Sequence, residues 1–155
     1  LINHFLDQFK GTVYRQTMFA EFERELGRMA ERGETLTADA LDEKYLALNR
    51  LYFGPDMVSD AQIALEWARI PHFYYNYYVF QYATGFSAAV ALADRILREG
   101  APAVADYKRF LSGGSSTDPI SLLKLAGVDM STPAPVDAAL AMFGELVDEL
   151  DALTR

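Results

Sequence analysis

Apolar residues recur along this chain at helical spacing, with charged positions falling between them. Over residues 2–31 the stripe is Ile2, Phe5, Leu6, Phe9, Val13, Phe22, Leu26 and Met29, while Asp7, Lys10, Glu23, Glu25 and Arg28 take the polar sides. The spacing predicts one helix here, able to kink at Gly11 and ended by Gly33. A second helix is expected from an N-cap at Thr37, through Leu41, Tyr45, Leu46, Leu48 and Leu51, to Gly54-Pro55. Ser59 is expected to cap a third, from Asp60 to about Arg69, carrying Ile63, Leu65 and Trp67. The Ile70-Pro71 step then breaks the chain, because the residue before a proline is pushed out of helical geometry.

The stretch from Pro71 to Gly100 has a different texture and is expected to form the central helix. Its front half crowds together Phe73, Tyr74, Tyr75, Tyr77, Tyr78, Phe80 and Tyr82. Small residues follow, with Ala83, Ser87 and Ala91 in one four-residue row and Gly85, Ala89 and Ala93 in another. Such rows let neighbouring helices approach closely, and phenols buried in the front half would each need a hydrogen-bond partner. Beyond Gly100 a short helix is predicted from about Pro102 to Leu111, with Val104, Tyr107 and Phe110 inward, followed by the flexible loop Ser112–Thr117. Asp118-Pro119 reads as a cap with proline in the first helical position, opening a helix to Leu125 that Gly127 closes. Residues 129–135 are expected to be extended before a last amphipathic helix from Val136 to about Leu153. No strand alternation appears, so the fold class is all-α, one helical domain over residues 1–155.

Composition narrows the function. A net charge of -8 removes the basic surface that non-specific nucleic-acid binding requires. With no cysteine there is no disulfide framework and no thiolate metal site, which suits a cytoplasmic protein. The N-terminus opens directly into an amphipathic pattern, with neither a signal-peptide pattern nor an initiator methionine. Phe73 to Ala93 carries no formal charge and is long enough to span a bilayer, but Asn76, Gln81, Thr84, Ser87 and tyrosines throughout its length argue for a helix inside a larger helical body.

Candidate chemistry is sparse. His4 and Asp7 sit one turn apart, yet nothing supplies a third metal ligand at a recognisable spacing, and neither H-E-x-x-H nor a di-iron E-x-x-H pair occurs. Ser115 and Ser116 have no histidine near them in sequence, and no lysine follows Gly113-Gly114 in P-loop order. His72 is different. If the central helix begins near residue 72, then Tyr75, Tyr78 and Tyr82 continue its face, and imidazole and phenol donors would point into one cavity. Such groups suit a peptide carbonyl or a developing oxyanion, although an aromatic core helix with tied-off hydroxyls has the same pattern.

The segment IPHFYYNYYVFQYATGFSAAVALADRIL resembles the C-terminal catalytic-domain region of oligoendopeptidase F, a thimet-type zinc metallopeptidase family. The opening NHFLDQFKGTVYRQTMFAEFE is similar to the family's helix downstream of its zinc motif, and YKRFLSGGSSTDPISLLKLAGVDMSTPAPVDAALAMF to its terminus. The resemblance implies an all-α body enclosing a channel in which short peptides are cleaved. It also implies zinc held by the two histidines of H-E-x-x-H and a downstream glutamate, none of which this chain contains. What carries over is the wall facing the metal. His72 matches the family's substrate-contacting histidine, and Tyr77, with Tyr75 or Tyr78 as alternative registers, matches the tyrosines that bind substrate and stabilise the oxyanion. Phe80 stands where relatives often carry tyrosine.

The expected protein is therefore the C-terminal part of a zinc oligopeptidase. It would contribute substrate-binding residues and no metal ligand, and it would be inactive on its own. Short peptides would be its partners in the parent enzyme, with neither nucleic acid nor membrane involved. A non-catalytic helical interaction module is the alternative, and a third reading has the isolated chain self-associating through apolar helix surface.

Overall fold

In the computed structural model, which describes residues 1–155, every regular element is helical. The α-helices are α1 (Ile2–Phe9), α2 (Arg15–Glu31), α3 (Ala38–Phe53), α4 (Phe80–Glu99), α5 (Ala101–Ser112), α6 (Pro119–Leu125) and α7 (Ala134–Thr154). A π-helical turn, Lys10–Tyr14, joins α1 to α2, and 3₁₀ segments cover Ala61–Arg69 and Pro71–Tyr74. The all-α expectation stands.

Two compact units share the chain: Lys10–Ala83, and Leu1–Phe9 with Thr84–Arg155. The first is built on Met18, Phe19 and Phe22 of α2, packed with Leu41, Tyr45 and Leu48 of α3 and with Ile70 and Val79. The rings interlock edge to face: Phe22 meets Tyr45 at 5.2 Å and 90°. A buried carboxylate ties this core to its polar margin. Glu66 accepts from Arg15 Nη2 at 2.6 Å, from the Tyr45 hydroxyl at 2.6 Å, and from Arg69. Trp67 packs against this core, its indole N–H donating to Asp42 Oδ1 at 2.6 Å.

The second unit has two apolar foci. Phe9 is fully buried and packs against Phe5, Phe86 and Phe143. Ala88 and Leu92 of α4 pack with Ala126 and Val128, flanked by Ala91, Tyr107 and Phe110. The row Gly85, Ala89 and Ala93, expected to admit a close neighbour, is exposed instead and lines an open groove. Arg95 braces this region, donating to the Ala126 carbonyl at 2.5 Å and to Asp106 Oδ2 at 2.8 Å.

The predicted punctuation is largely present. Thr37 Oγ1 accepts from the Ala40 N–H at 3.3 Å, and Asp118 Oδ1 accepts from the Ser121 N–H at 2.9 Å. Gly33 and Gly127 end α2 and α6 with φ of 73° and 78°, a conformation glycine adopts without strain. Paired bonds such as Glu34 N–H to Met29 O and Val128 N–H to Leu123 O close both helices.

Four local expectations are corrected. The stripe over 2–31 is two helices, and the chain winds wider at Gly11 rather than merely bending. The third helix is a 3₁₀ segment capped by Asp60, whose Oδ1 accepts from the Ile63 N–H at 3.0 Å, while Ser59 donates to Asn49 Oδ1. Residues 129–132 turn instead of extending, because Asp129 Oδ1 captures the Ser131 N–H at 2.9 Å, and α7 starts at Ala134. Most consequentially, the central α-helix begins at Phe80, not near residue 72.

Candidate substrate-binding site

Two apolar anchors and a backbone reversal shape the segment between Arg69 and α4. Pro71 fixes the start of a short 3₁₀ turn, closed by the Tyr75 N–H donating to the His72 carbonyl at 3.0 Å. Ile70 and Val79 are buried, and Phe73 packs against Phe19 and Phe22 at 5.3 and 5.2 Å. Between these anchors Asn76 and Tyr77 take φ of 52° and 59°, the left-handed region, which costs about 1–3 kcal/mol per non-glycine residue. Asn tolerates it through its short polar side chain, whereas Tyr does not, so the surroundings must hold it. The reversal leaves Tyr74, Tyr75, Tyr77 and Phe80 exposed. The phenols are therefore not a buried helical face.

The reversal nonetheless gathers the residues that the helical face was expected to gather. The His72 ring stacks on Tyr78 at 5.5 Å and 10°, and meets Tyr75 and Tyr82 edge-on, each at 5.9 Å. Tyr78 also meets Tyr75 at 5.9 Å and Tyr82 at 5.5 Å. The Tyr82 hydroxyl donates to the Tyr78 hydroxyl oxygen at 3.2 Å and lies 3.5 Å from His72 Nε2. That bond to Tyr78, with some desolvation, raises the Tyr82 pKa above that of a free phenol. Tyr78 accepts this hydrogen bond, and a hydroxyl that already accepts one is a stronger donor through its own O–H. The cluster thus offers imidazole and phenol donors on an open surface, the equipment for holding a carbonyl oxygen.

Tyr77 stands apart from this cluster. Its backbone N–H donates to Glu23 Oε1 at 3.1 Å, and its phenol lies over Gly27, where any Cβ would overlap the hydroxyl. Glu23, expected on the polar side of its helix, is buried on α2 instead, because it faces the turn at Tyr77, and its Oε2 has no hydrogen-bond partner. Burial pushes the Glu23 carboxyl above the usual carboxylate range, opposed by the backbone N–H groups of Tyr77, Val79 and Tyr78 and by His72. Neither residue is evident from the hydrophobic stripe alone. The available signals are a glycine inside a helical pattern and a glutamate four residues after Phe19 on an apolar row.

The other candidates do not assemble. His4 Nε2 pairs with Gln8 at 3.2 Å and Asp7 accepts from Asn3 at 3.4 Å, so this histidine and aspartate do not pair. No three His, Asp or Glu side chains converge where they could hold a metal ion, so the chain's own residues do not fit a zinc site. Ser115 and Ser116 sit on an exposed loop. That loop borders an apolar groove of about 910 Å³ between α4, α5 and α6, lined by Ala88, Leu92, Tyr107 and Phe110, with no titratable group other than the Tyr107 phenol. No helix is long and apolar enough to cross a membrane.

Known proteins match this chain throughout. It is 58% identical to Oligopeptidase PepF of Bacillus subtilis over 153 residues, 99% of this chain and 23% of that protein. It is 44% identical over 155 residues to the plasmid-encoded oligoendopeptidase F of Lactococcus lactis subsp. cremoris, covering all of this chain and 26% of that protein. The crystal structure of oligoendopeptidase-F from Enterococcus faecium superposes on 99% of the chain with a TM-score of 0.95 at 50% identity, using 29% of that chain. The 155 residues thus span about a quarter of the length of these relatives. The family described as Peptidase family M3 matches residues 1–142, and the chain belongs to it.

Proposed function

We propose that this chain forms one wall of the substrate channel of an M3 oligopeptidase, with His72, Tyr75 and Tyr78 contacting short peptides and Tyr77 stabilising the oxyanion. One observation carries the reading: an open imidazole–phenol cluster, His72 with Tyr75, Tyr78 and Tyr82, on the segment that resembles the family's substrate-facing wall. Imidazole and phenol groups donate to the peptide's carbonyls and orient its backbone. As negative charge develops on the scissile oxygen, a pre-aimed phenol O–H gains strength without reorganising, which is worth about a hundredfold in turnover per donor. The zinc of such an enzyme would be held by residues outside these 155, since none here fit it. Zinc would supply the Lewis acidity; this chain's residues bind and orient.

Steady-state peptide hydrolysis by the parent protein tests the reading. His72→Ala and Tyr77→Phe should each lower kcat/KM by about a hundredfold, and rates within twofold of wild type would overturn the assignment.

A further inference from the structure

We propose that Glu23 and Gly27 of α2 form a seat that positions the tyrosine-bearing turn 74–78, with Glu23 holding its backbone and Gly27 making room for the Tyr77 phenol. The two residues lie one helical turn apart on the same face of α2. Glu23 Oε1 accepts the Tyr77 N–H at 3.1 Å, within the left-handed pair Asn76–Tyr77. Tyr77 does not hold that conformation by its own preference, so a fixed external acceptor is what the geometry requires. The phenol then lies where a Gly27 side chain would be. A buried carboxylate with its second oxygen unpartnered is costly to keep for packing alone, and a leucine or methionine would fill the same space. Its acceptor is what justifies it. The turn leads directly into Tyr78, whose ring stacks on His72, so fixing residues 76 and 77 also fixes the direction of the cluster. Glu23 acts through this turn and is a positioning residue.

The inference rests on the proposed site for its catalytic consequence, but its geometry is tested without peptide hydrolysis. Hydrogen–deuterium exchange of the parent protein, read over residues 74–79, should be about tenfold faster in Glu23→Leu than in wild type, the loss expected for one net hydrogen bond. Glu23→Gln keeps an acceptor oxygen and should restore protection. Gly27→Ala, which favours the helix, should displace the phenol and speed exchange over the same residues while leaving α3 unchanged. In peptide hydrolysis, Glu23→Leu and Gly27→Ala should lower kcat about tenfold or more with KM changed far less, and Glu23→Gln should recover most of it. Unaltered exchange over 74–79 in a folded Glu23→Leu protein overturns the seat. If that variant does not fold, unaltered exchange in Gly27→Ala does so. Faster exchange with unaltered kcat keeps the seat and counts against the proposed site instead.

Discussion

The Tyr82 hydroxyl donates to the hydroxyl oxygen of Tyr78 at 3.2 Å, chaining a phenol of α4 to one on the turn that precedes it. The bond stabilises neutral Tyr82, and its folded-state pKa lies above the ordinary 10.0. The sign follows: the contribution is fully present below about pH 10 and is lost as pH rises through the higher folded value. Ultraviolet titration of Tyr82→Phe should lack one of the late-ionising phenols of the wild type, while Tyr45 and Tyr52 still ionise late. Loss of a phenol that ionises near pH 10, with the late-ionising ones unchanged, would contradict the bond.

Glu66 carries the opposite sign. Burial opposes its ionisation, but Arg15, the Tyr45 hydroxyl and Arg69 outweigh burial and hold the carboxyl below its usual range. Its contribution is present above the unfolded pKa of about 4.3 and disappears as pH falls through the lower folded value. Glu66→Ala should cost about 3 kcal/mol at neutral pH in urea denaturation, since it leaves Arg15 and a buried phenol unpaired. A cost below about 1 kcal/mol would show the pairs to be worth no more than surface ones.

Glu23 has a raised folded pKa, so the folded state binds a proton more tightly than the unfolded one. Wild-type stability should therefore fall relative to Glu23→Gln as pH rises from about 4.3 towards neutrality. Denaturation midpoints of the two proteins across that range check it, and a constant difference would contradict a buried, incompletely satisfied carboxylate.

An apolar groove between α4, α5 and α6 lies open, and Leu111 on its lining is more than half exposed. The isolated 155-residue chain should therefore self-associate in light scattering, and, with no residues fit to hold zinc, it should hydrolyse no peptide. A clean monomer, or zinc-dependent turnover by this piece, would contradict the account.

The all-α class and most helix ends are legible because they rest on local chemistry: the Thr37 and Asp118 caps, and the Gly33 and Gly127 stops. Departures arose where one side chain outcompeted the backbone ladder, as at Asp60 and Asp129, or where glycine let the helix widen at Gly11. The aromatic spacing of residues 72–79 fits 3.6 residues per turn and so predicts a helix there. They form no α-helix, because Pro71 restricts the entry and Ile70 and Val79 are buried on either side of the turn, anchors that only the tertiary core reveals. The same four residues, His72, Tyr75, Tyr78 and Tyr82, still meet through a turn instead of a helical face. Glu23 and Gly27 were invisible as a pair, since their partner Tyr77 lies some fifty residues away.

The most direct test maps where a bound peptide touches the parent protein. A short peptide carrying a photoreactive residue, crosslinked and located by mass spectrometry, should label residues 72–82. Labelling confined to positions outside that segment would contradict the claim that this turn is the peptide-facing wall.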